Sequence, residues 1–543
     1  MTQGLAAVEQ FDYIVIGAGS AGCVVANRLS ADSRRSVLLL EAGGTHERFF
    51  VGMPMGFGML FNDDSLNWNF FAEPNEHLGG RADYWPRGKI LGGSSSINAM
   101  MYIRGAREDY DTWARLGNAG WGFDDVLPYF KRSEDNDRGE DAFHGAGGPL
   151  SVTSVDDSLH PAARLALESA LALGYPSNRD FNGATQDGFG VFQFKLRNGR
   201  RCSSAVAFLQ PAMKRSNLTV RTHAMVTRIV FEGRKAVGVE YLSEGRPRLA
   251  GCRAEVVLSA GTVMSPALLQ RSGVGPGPLL QELGIPVVHA SPAVGENLQD
   301  HAQCGFVFRT RVPTVNDTLG TILGALRAGM QYVLLGRGPL SLSCHQAGGF
   351  ARSRPGLERV DTQLYFLPLS YQPIPKGGKG RLDRESAMMF VASPCRPRSR
   401  GQIRIRSVDS AAAPAIVPNL LAENDDVQVM ADSLRILLRV AGTRPMVDII
   451  AGRMRMPDGE LTDDALRQHI RATAKTVYHP TSTCSMGPDA ATAVVDAKLR
   501  VHGVERLRVV DASIMPLITS GNTNAPATMI GEKGADLLLA DAG

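Results

Sequence analysis

No stretch of this chain reaches the roughly 18 consecutive apolar residues that a membrane-crossing helix needs. The nearest, residues 321–335, is interrupted by Arg327. Cysteine is sparse and unpatterned: seven residues, odd in number and nowhere at C-x-x-C spacing, argue against a zinc site or a disulfide framework and favour a reducing compartment. No basic run stands out, and 58 Lys+Arg against 54 Asp+Glu leave a formal net charge of +4 with the signs interspersed, so a nucleic-acid partner is not expected. The opening residues MTQGLAAVEQFDY lack the basic and apolar regions of a secretory leader. The expected location is therefore cytoplasmic, compatible with peripheral contact at the inner face of the membrane. There is no internal repeat and no low-complexity segment. What remains is an ordinary globular composition, 44% hydrophobic and 21% charged, in 543 residues. That length is too great for one simple core and predicts two domains.

Residues 11–16 are an apolar, β-branched run that stops at glycine, which predicts a buried strand. Residues 21–30 carry helical spacing and residues 36–40 are a second apolar strand, giving a β-turn-α-β unit with right-handed parallel pairing. Further on, residues 218–220, 224–231 and 236–241 predict a β-meander, and 254–259 another buried strand. Residues 303–309, 362–367, 387–391 and 402–406 are strands among loops rich in Gly, Pro and Arg, predicting a mostly antiparallel sheet. Residues 507–510 and 528–539 return to strand-then-helix. The expected fold class is an α/β, Rossmann-like nucleotide-binding domain that the chain leaves and re-enters, interleaved with an α+β substrate domain.

Gly17-Ala18-Gly19-Ser20-Ala21-Gly22 fits G-x-G-x-x-G between that first strand and helix. In this pattern the first glycine makes the turn, the second lets backbone approach a pyrophosphate, and the third lets helix and strand pack closely. The helix N-terminus then faces the phosphates. Glu41 ends the second strand 24 residues after Gly17, placed to bond ribose hydroxyls. The pattern shows a dinucleotide but does not choose between NAD and FAD. A second glycine-rich loop, Arg87-Gly88-Lys89-Ile90-Leu91-Gly92-Gly93-Ser94-Ser95-Ser96-Ile97-Asn98, follows Trp85-Pro86. It is too apolar for a solvent loop, and its small residues allow a planar ligand to approach the backbone. Of eleven histidines, His479 stands apart: it precedes Pro480 and is followed by Thr481-Ser482-Thr483, small residues that leave room around the ring.

With these motifs the sequence resembles the glucose–methanol–choline (GMC) family of flavin oxidoreductases. The 88–98 loop is similar to its first signature, and Gly261-Thr262-Val263-Met264-Ser265-Pro266 through Gly275 to its second. Val294-Gly295-Glu296-Asn297-Leu298-Gln299-Asp300-His301, Arg508-Val509-Val510-Asp511-Ala512-Ser513 and Gly521-Asn522-Thr523-Asn524-Ala525-Pro526 also match, five ordered motifs between residues 88 and 526. The resemblance implies FAD, with its adenosine end near residues 17–41 and its flavin near 92–98. The implied cofactor residues are Gly17, Gly19, Ser20, Ala21, Gly22, Glu41, Gly92, Gly93, Ser94, Asn98, Val226, Asp511 and Asn524. Members that attach FAD covalently use a histidine where Ile97 stands here, so non-covalent FAD is expected. The implied domains are 1–157, 197–300 and 479–543 for FAD, and 158–196 and 301–478 for substrate.

The resemblance further implies His479 as catalytic base and Asn522 as its partner, although an Asn in a Gly-Asn-Thr-Asn turn is otherwise an ordinary turn residue. The activity implied is oxidation of a primary alcohol, aliphatic or benzylic, with choline oxidation or a non-redox lyase reaction as alternatives and oxygen or a quinone as electron acceptor. No metal is required, and oligomeric state is not legible. Tyr478, Val477 and Gln346 are the candidate substrate residues. A neutral Gln346, where choline-type relatives carry a carboxylate, argues against a quaternary amine. Ser482 and Ser485 depart from the family wording, and Ser482 is expected to add bulk near the base.

Overall fold

The computed structural model describes residues 8–372 and 381–542 of the chain. Strand Glu9–Ile16 lies between two parallel neighbours, Val37–Leu40 and Arg246–Leu258, and Leu218–Arg221 extends the sheet beyond Val37–Leu40. All four residues of Val37–Leu40 are buried, as an apolar run in a sheet covered on both faces must be. Helix Gly22–Leu29 buries every residue except Arg28 and packs against the terminal helix Asn524–Asp541. The return strand Leu507–Val509 joins the same sheet, parallel to Arg246–Leu258.

A second sheet runs in the order Ala347–Ala351, Thr362–Leu367, Ala387–Pro394, Ala302–Thr310, Ile450–Arg455, antiparallel throughout, and Lys475–Thr476 also pairs with Ala302–Thr310. Helix Asn424–Ala441 covers it with Met430, Leu434, Leu437 and Val440, one helical stripe at three- and four-residue spacing.

Two expected pairings differ. Residues 218–220 do not belong to the meander, whose strands are Ala224–Glu232, Lys235–Ser243 and Arg246–Leu258. The expected strand 402–406 is Gln402–Arg404, which pairs only with Ala415–Val417 outside the large sheet. All seven cysteines are buried and free. Among the described residues, no helix is long and apolar enough to cross a membrane, and no cluster of His, Cys, Asp and Glu can hold a metal.

Candidate active site

A cavity of about 1450 Å³ runs from the 17–22 turn to the antiparallel sheet. At its first end the two glycine loops touch: a Cβ on Gly93 would stand 2.8 Å from the Gly19 Cα, and Gly92 N–H donates to Ala18 O at 2.7 Å. Gly22 cannot carry a side chain, because its Cβ would lie 1.9 Å from Gly17 O. A Cβ on Gly19, by contrast, would come no closer than 3.7 Å to another part of the chain, the Ser259 carbonyl, which leaves space over it for a ligand. Gly17, Ser20, Ala21, Ser94 and Val226 line this end, while Gly22 and Gly92 shape it from behind.

Glu41 accepts from Ala18 N–H and Gly43 N–H, 2.9 and 2.8 Å, and burial pushes its carboxyl up to about 7. Asp511, also on the wall, accepts from Gly261 N–H and Ser265 Oγ and thereby ties two of the ordered motifs together. Asn98 and Asn524 line the middle, where Asn524 Nδ2 donates to Ser20 Oγ at 2.7 Å. A glycine-lined cradle, a helix N-terminus and a carboxylate at the end of the second strand suit an elongated dinucleotide such as FAD.

At the other end stands His479. Its Nε2 is 3.1 Å from Asn522 Nδ2 and its Nδ1 is 3.1 Å from His301 Nδ1. The hydrogen bonds assign the tautomers. His301 Nε2 lies 2.9 Å from the Cys395 carbonyl, which only accepts, so Nε2 carries the proton and Nδ1 is bare. His479 Nδ1–H must then donate to His301, which leaves His479 Nε2 as a lone pair beside the cavity, receiving an N–H from Asn522. Burial holds His479 well below its ordinary value, helped by the neighbouring His301, Arg87 and His345. Burial likewise brings His301 down to about 4. Both rings are therefore neutral near pH 7. Asp300 accepts from the His479 backbone N–H at 2.8 Å, and Gln363 Nε2 donates to Asn522 Oδ1 at 3.4 Å.

The structure thus brings His479 and Asn522 together with Val477 and Tyr478 on the same wall. Gln346 is a correction: it is not part of the cavity wall, because its Oε1 accepts from His160 N–H at 2.8 Å, whereas its neighbour His345 lines the cavity. Ser482 is another. It sits at φ +78°, where glycine is favoured, and its Oγ lies 2.9 Å from Thr481 Oγ1, buried away from the cavity. Ser485 Oγ turns to the Ser482 carbonyl. Neither narrows the pocket. His301, Asp300, Gln363 and His345 were missed. The one signal was the Asp300-His301 pair closing a matched motif; nothing local marks Gln363.

Family profiles described as GMC oxidoreductase match residues 11–303 and 397–531. The chain belongs to the GMC oxidoreductase family. It is 42% identical over 97% of its length to an oxygen-dependent choline dehydrogenase of Pseudomonas fluorescens strain Pf0-1, covering 93% of that protein, and 43% identical to one from Chromohalobacter salexigens, with 97% and 94% covered. Among solved structures, pyridoxine 4-oxidase from Mesorbium loti superposes with a TM-score of 0.88 at 30% identity, covering 97% of this chain and 98% of that one. Formate oxidase gives 0.91 at 24% identity with 99% of each covered, a likeness of fold alone. GMC enzymes use FAD, and this chain is an FAD-dependent oxidoreductase of CH–OH donors.

Proposed function

We propose that this GMC enzyme oxidises an uncharged primary alcohol, aliphatic or benzylic, to the aldehyde, with FAD held non-covalently. The observation that carries the reading is the unprotonated Nε2 of His479, on the cavity wall and 3.1 Å from the amide donor of Asn522. An alcohol oxygen that displaces Nε2 as the acceptor of the Asn522 Nδ2–H gives its proton to the Nε2 lone pair so released, while that N–H stabilises the developing alkoxide. Bound FAD supplies the hydride acceptor. His301 keeps the His479 proton on Nδ1, and Gln363 holds Asn522 by its carbonyl. General-base catalysis of this kind is typically worth ~10²–10⁴-fold, and loss of one alkoxide donor costs roughly 10²–10³-fold.

The surroundings favour a neutral substrate. Phe61, Tyr365, Leu369 and Met389 are on the wall, and burial keeps His345 neutral, at about 4. The ionised groups lining the approach are chiefly cations, Arg81, Arg87, Arg381, Arg455 and Lys475 against Asp83, a poor match for a trimethylammonium group. Choline is nonetheless the second reading, because the curated relatives at 42–43% identity are called choline dehydrogenases. Ile97 lines the cavity where covalent members have histidine, which supports free FAD; acid precipitation should release it into the supernatant. The electron acceptor is oxygen or a quinone, the latter favoured by helix Ile322–Leu335, whose exposed apolar residues suit a membrane surface and whose flanking residues Leu319 and Leu340 line the cavity.

Anaerobic stopped-flow mixing with hexanol, benzyl alcohol, a polyol and choline tests the assignment. A primary alcohol should bleach the flavin fastest. Fastest bleaching by choline would install the second reading, and no bleaching by any alcohol would point to a non-redox reaction. His479→Ala should bind FAD yet reduce it ~10²–10⁴-fold more slowly. Asn522→Ala should lose a smaller factor.

A further inference from the structure

Lys195 is 1% exposed and Arg201 3%, and neither has a carboxylate within ion-pair reach among the described residues. A charge buried without a counter-charge is costly; neither side chain lines the cavity itself, but each holds an asparagine that does, Asn524 and Asn98. Lys195 has its backbone N–H on Met100 O, and its ammonium donates to Asn524 Oδ1. That bond sets the Asn524 amide, whose Nδ2 then donates to Ser20 Oγ at 2.7 Å. Ser20 Oγ, occupied as an acceptor, keeps its O–H free to donate. It lies on the cavity wall in the glycine turn, just ahead of helix Gly22–Leu29. Every donor in this line therefore points the same way, from a buried cation to a hydroxyl that needs an acceptor. Arg201 backs the neighbouring wall: its Nη1 donates to Asn98 Oδ1 at 3.0 Å, and its Nη2 has no partner among the described residues. Burial, with repulsion from Arg201 added to it, brings Lys195 down to about 7.

We propose that Lys195 is the counter-charge for the cofactor's diphosphate, its positive charge delivered through Asn524 and the Ser20 hydroxyl. The proposal rests on FAD as the cofactor, and it makes Lys195 a positioning residue of the cofactor site, acting through Asn524 and Ser20, rather than part of the proton transfer at His479.

The test uses the apoprotein, with FAD, ADP and adenosine as probes in calorimetric titrations and competition. ADP carries the diphosphate without the flavin, and adenosine carries neither. Lys195→Met should weaken FAD and ADP by ~10-fold or more each while leaving adenosine unchanged. Lys195→Gln keeps a donor for Asn524 but not the charge, and should behave like Lys195→Met. Thermal midpoints should cross: the variant apoprotein is as stable as the wild type or more so, and the variant holoprotein is less stable. Weaker FAD with unchanged ADP would assign the charge to the flavin end and overturn the proposal. Equal destabilisation of apo and holo forms, with unchanged affinities, would make Lys195 a structural strut. Wild-type protein that binds neither FAD nor ADP would overturn the cofactor assignment itself, an outcome distinct from any effect of the variants.

Discussion

A buried imidazole is a useful base only if its proton sits on the nitrogen facing away from the substrate. In this chain that condition is met by a second histidine. His301, committed to the Cys395 carbonyl through Nε2, offers His479 only an acceptor. His301→Leu removes that acceptor and leaves the His479 ring free to populate the wrong tautomer. Flavin reduction by alcohol should slow by about 10²-fold, short of the ~10⁴-fold that a mis-set tautomer costs in a serine protease, with FAD content unchanged. An unchanged rate would show that Asn522 alone orients the ring. The pH profile follows from the same packing. The base works deprotonated, and burial has pushed its titration well below 6.5. The acid limb of the reduction rate therefore lies well below 6.5, and the rate should stay flat from pH 8 down through 6.5 in stopped-flow measurements. A limb at 6.5 or above would contradict this environment for the base.

At the scale of elements, three helices behind the glycine turn are joined by one carboxylate. Glu532, on helix Asn524–Asp541, is fully buried; it meets Arg28 of helix Gly22–Leu29 at 2.6 Å, and Arg132 and Ser133 of helix Phe123–Ser133 at 2.7 and 2.9 Å. Both arginines are partly wet, which lowers the cost of stranding them. Glu532→Leu should still cost about 2–3 kcal/mol, less than the full loss for a dry pair, seen as a lower thermal midpoint followed by flavin fluorescence. An unchanged midpoint would mean that solvent replaces the carboxylate. Local pattern made helices Gly22–Leu29 and Asn524–Asp541 and the strands beside them legible, because glycine spacing, apolar runs and helical periodicity all act within about thirty residues; helix Phe123–Ser133 was not anticipated. Pairing over long separations was not: Leu218–Arg221 looks like the start of the meander, yet its partner is Val37–Leu40. The Gln346 expectation failed by a single position. It immediately precedes strand Ala347–Ala351, where successive side chains alternate faces, so His345 faces the cavity and Gln346 faces helix Pro161–Ala172. His301 and His479 are 178 residues apart, and no periodicity reports that they meet.

At the scale of the whole molecule, one face carries a run of exposed apolar side chains. Helix Ile322–Leu335 buries only Ala328 and Tyr332, which share one side, and turns the rest outward: Ile322 is 84% exposed, Leu323 79% and Leu334 77%, with Leu326, Met330, Val333 and Leu335 beside them. Phe49 extends the patch through an edge contact with Tyr332, and Met59 is both exposed and part of the cavity wall. Apolar surface on this scale marks an interaction site. Its charges narrow the partner. On the helix itself the one charged residue is Arg327, and Arg337 follows its C-terminal end. An apolar helix with only basic charges suits the boundary of a bilayer containing anionic lipid, lying in the interface rather than across it. The quinone-side reading under the proposed function therefore has a direct test at this face. The purified protein should co-sediment with phosphatidylglycerol–phosphatidylcholine vesicles and less with phosphatidylcholine alone. Leu323→Ser/Leu326→Ser/Leu334→Ser should abolish this and leave flavin reduction by a water-soluble alcohol intact, since none of the three touches the catalytic pair. If the wild type instead ignores vesicles and runs as a dimer that the triple substitution splits, the occupant of this face is a second copy of the chain, and the membrane assignment falls.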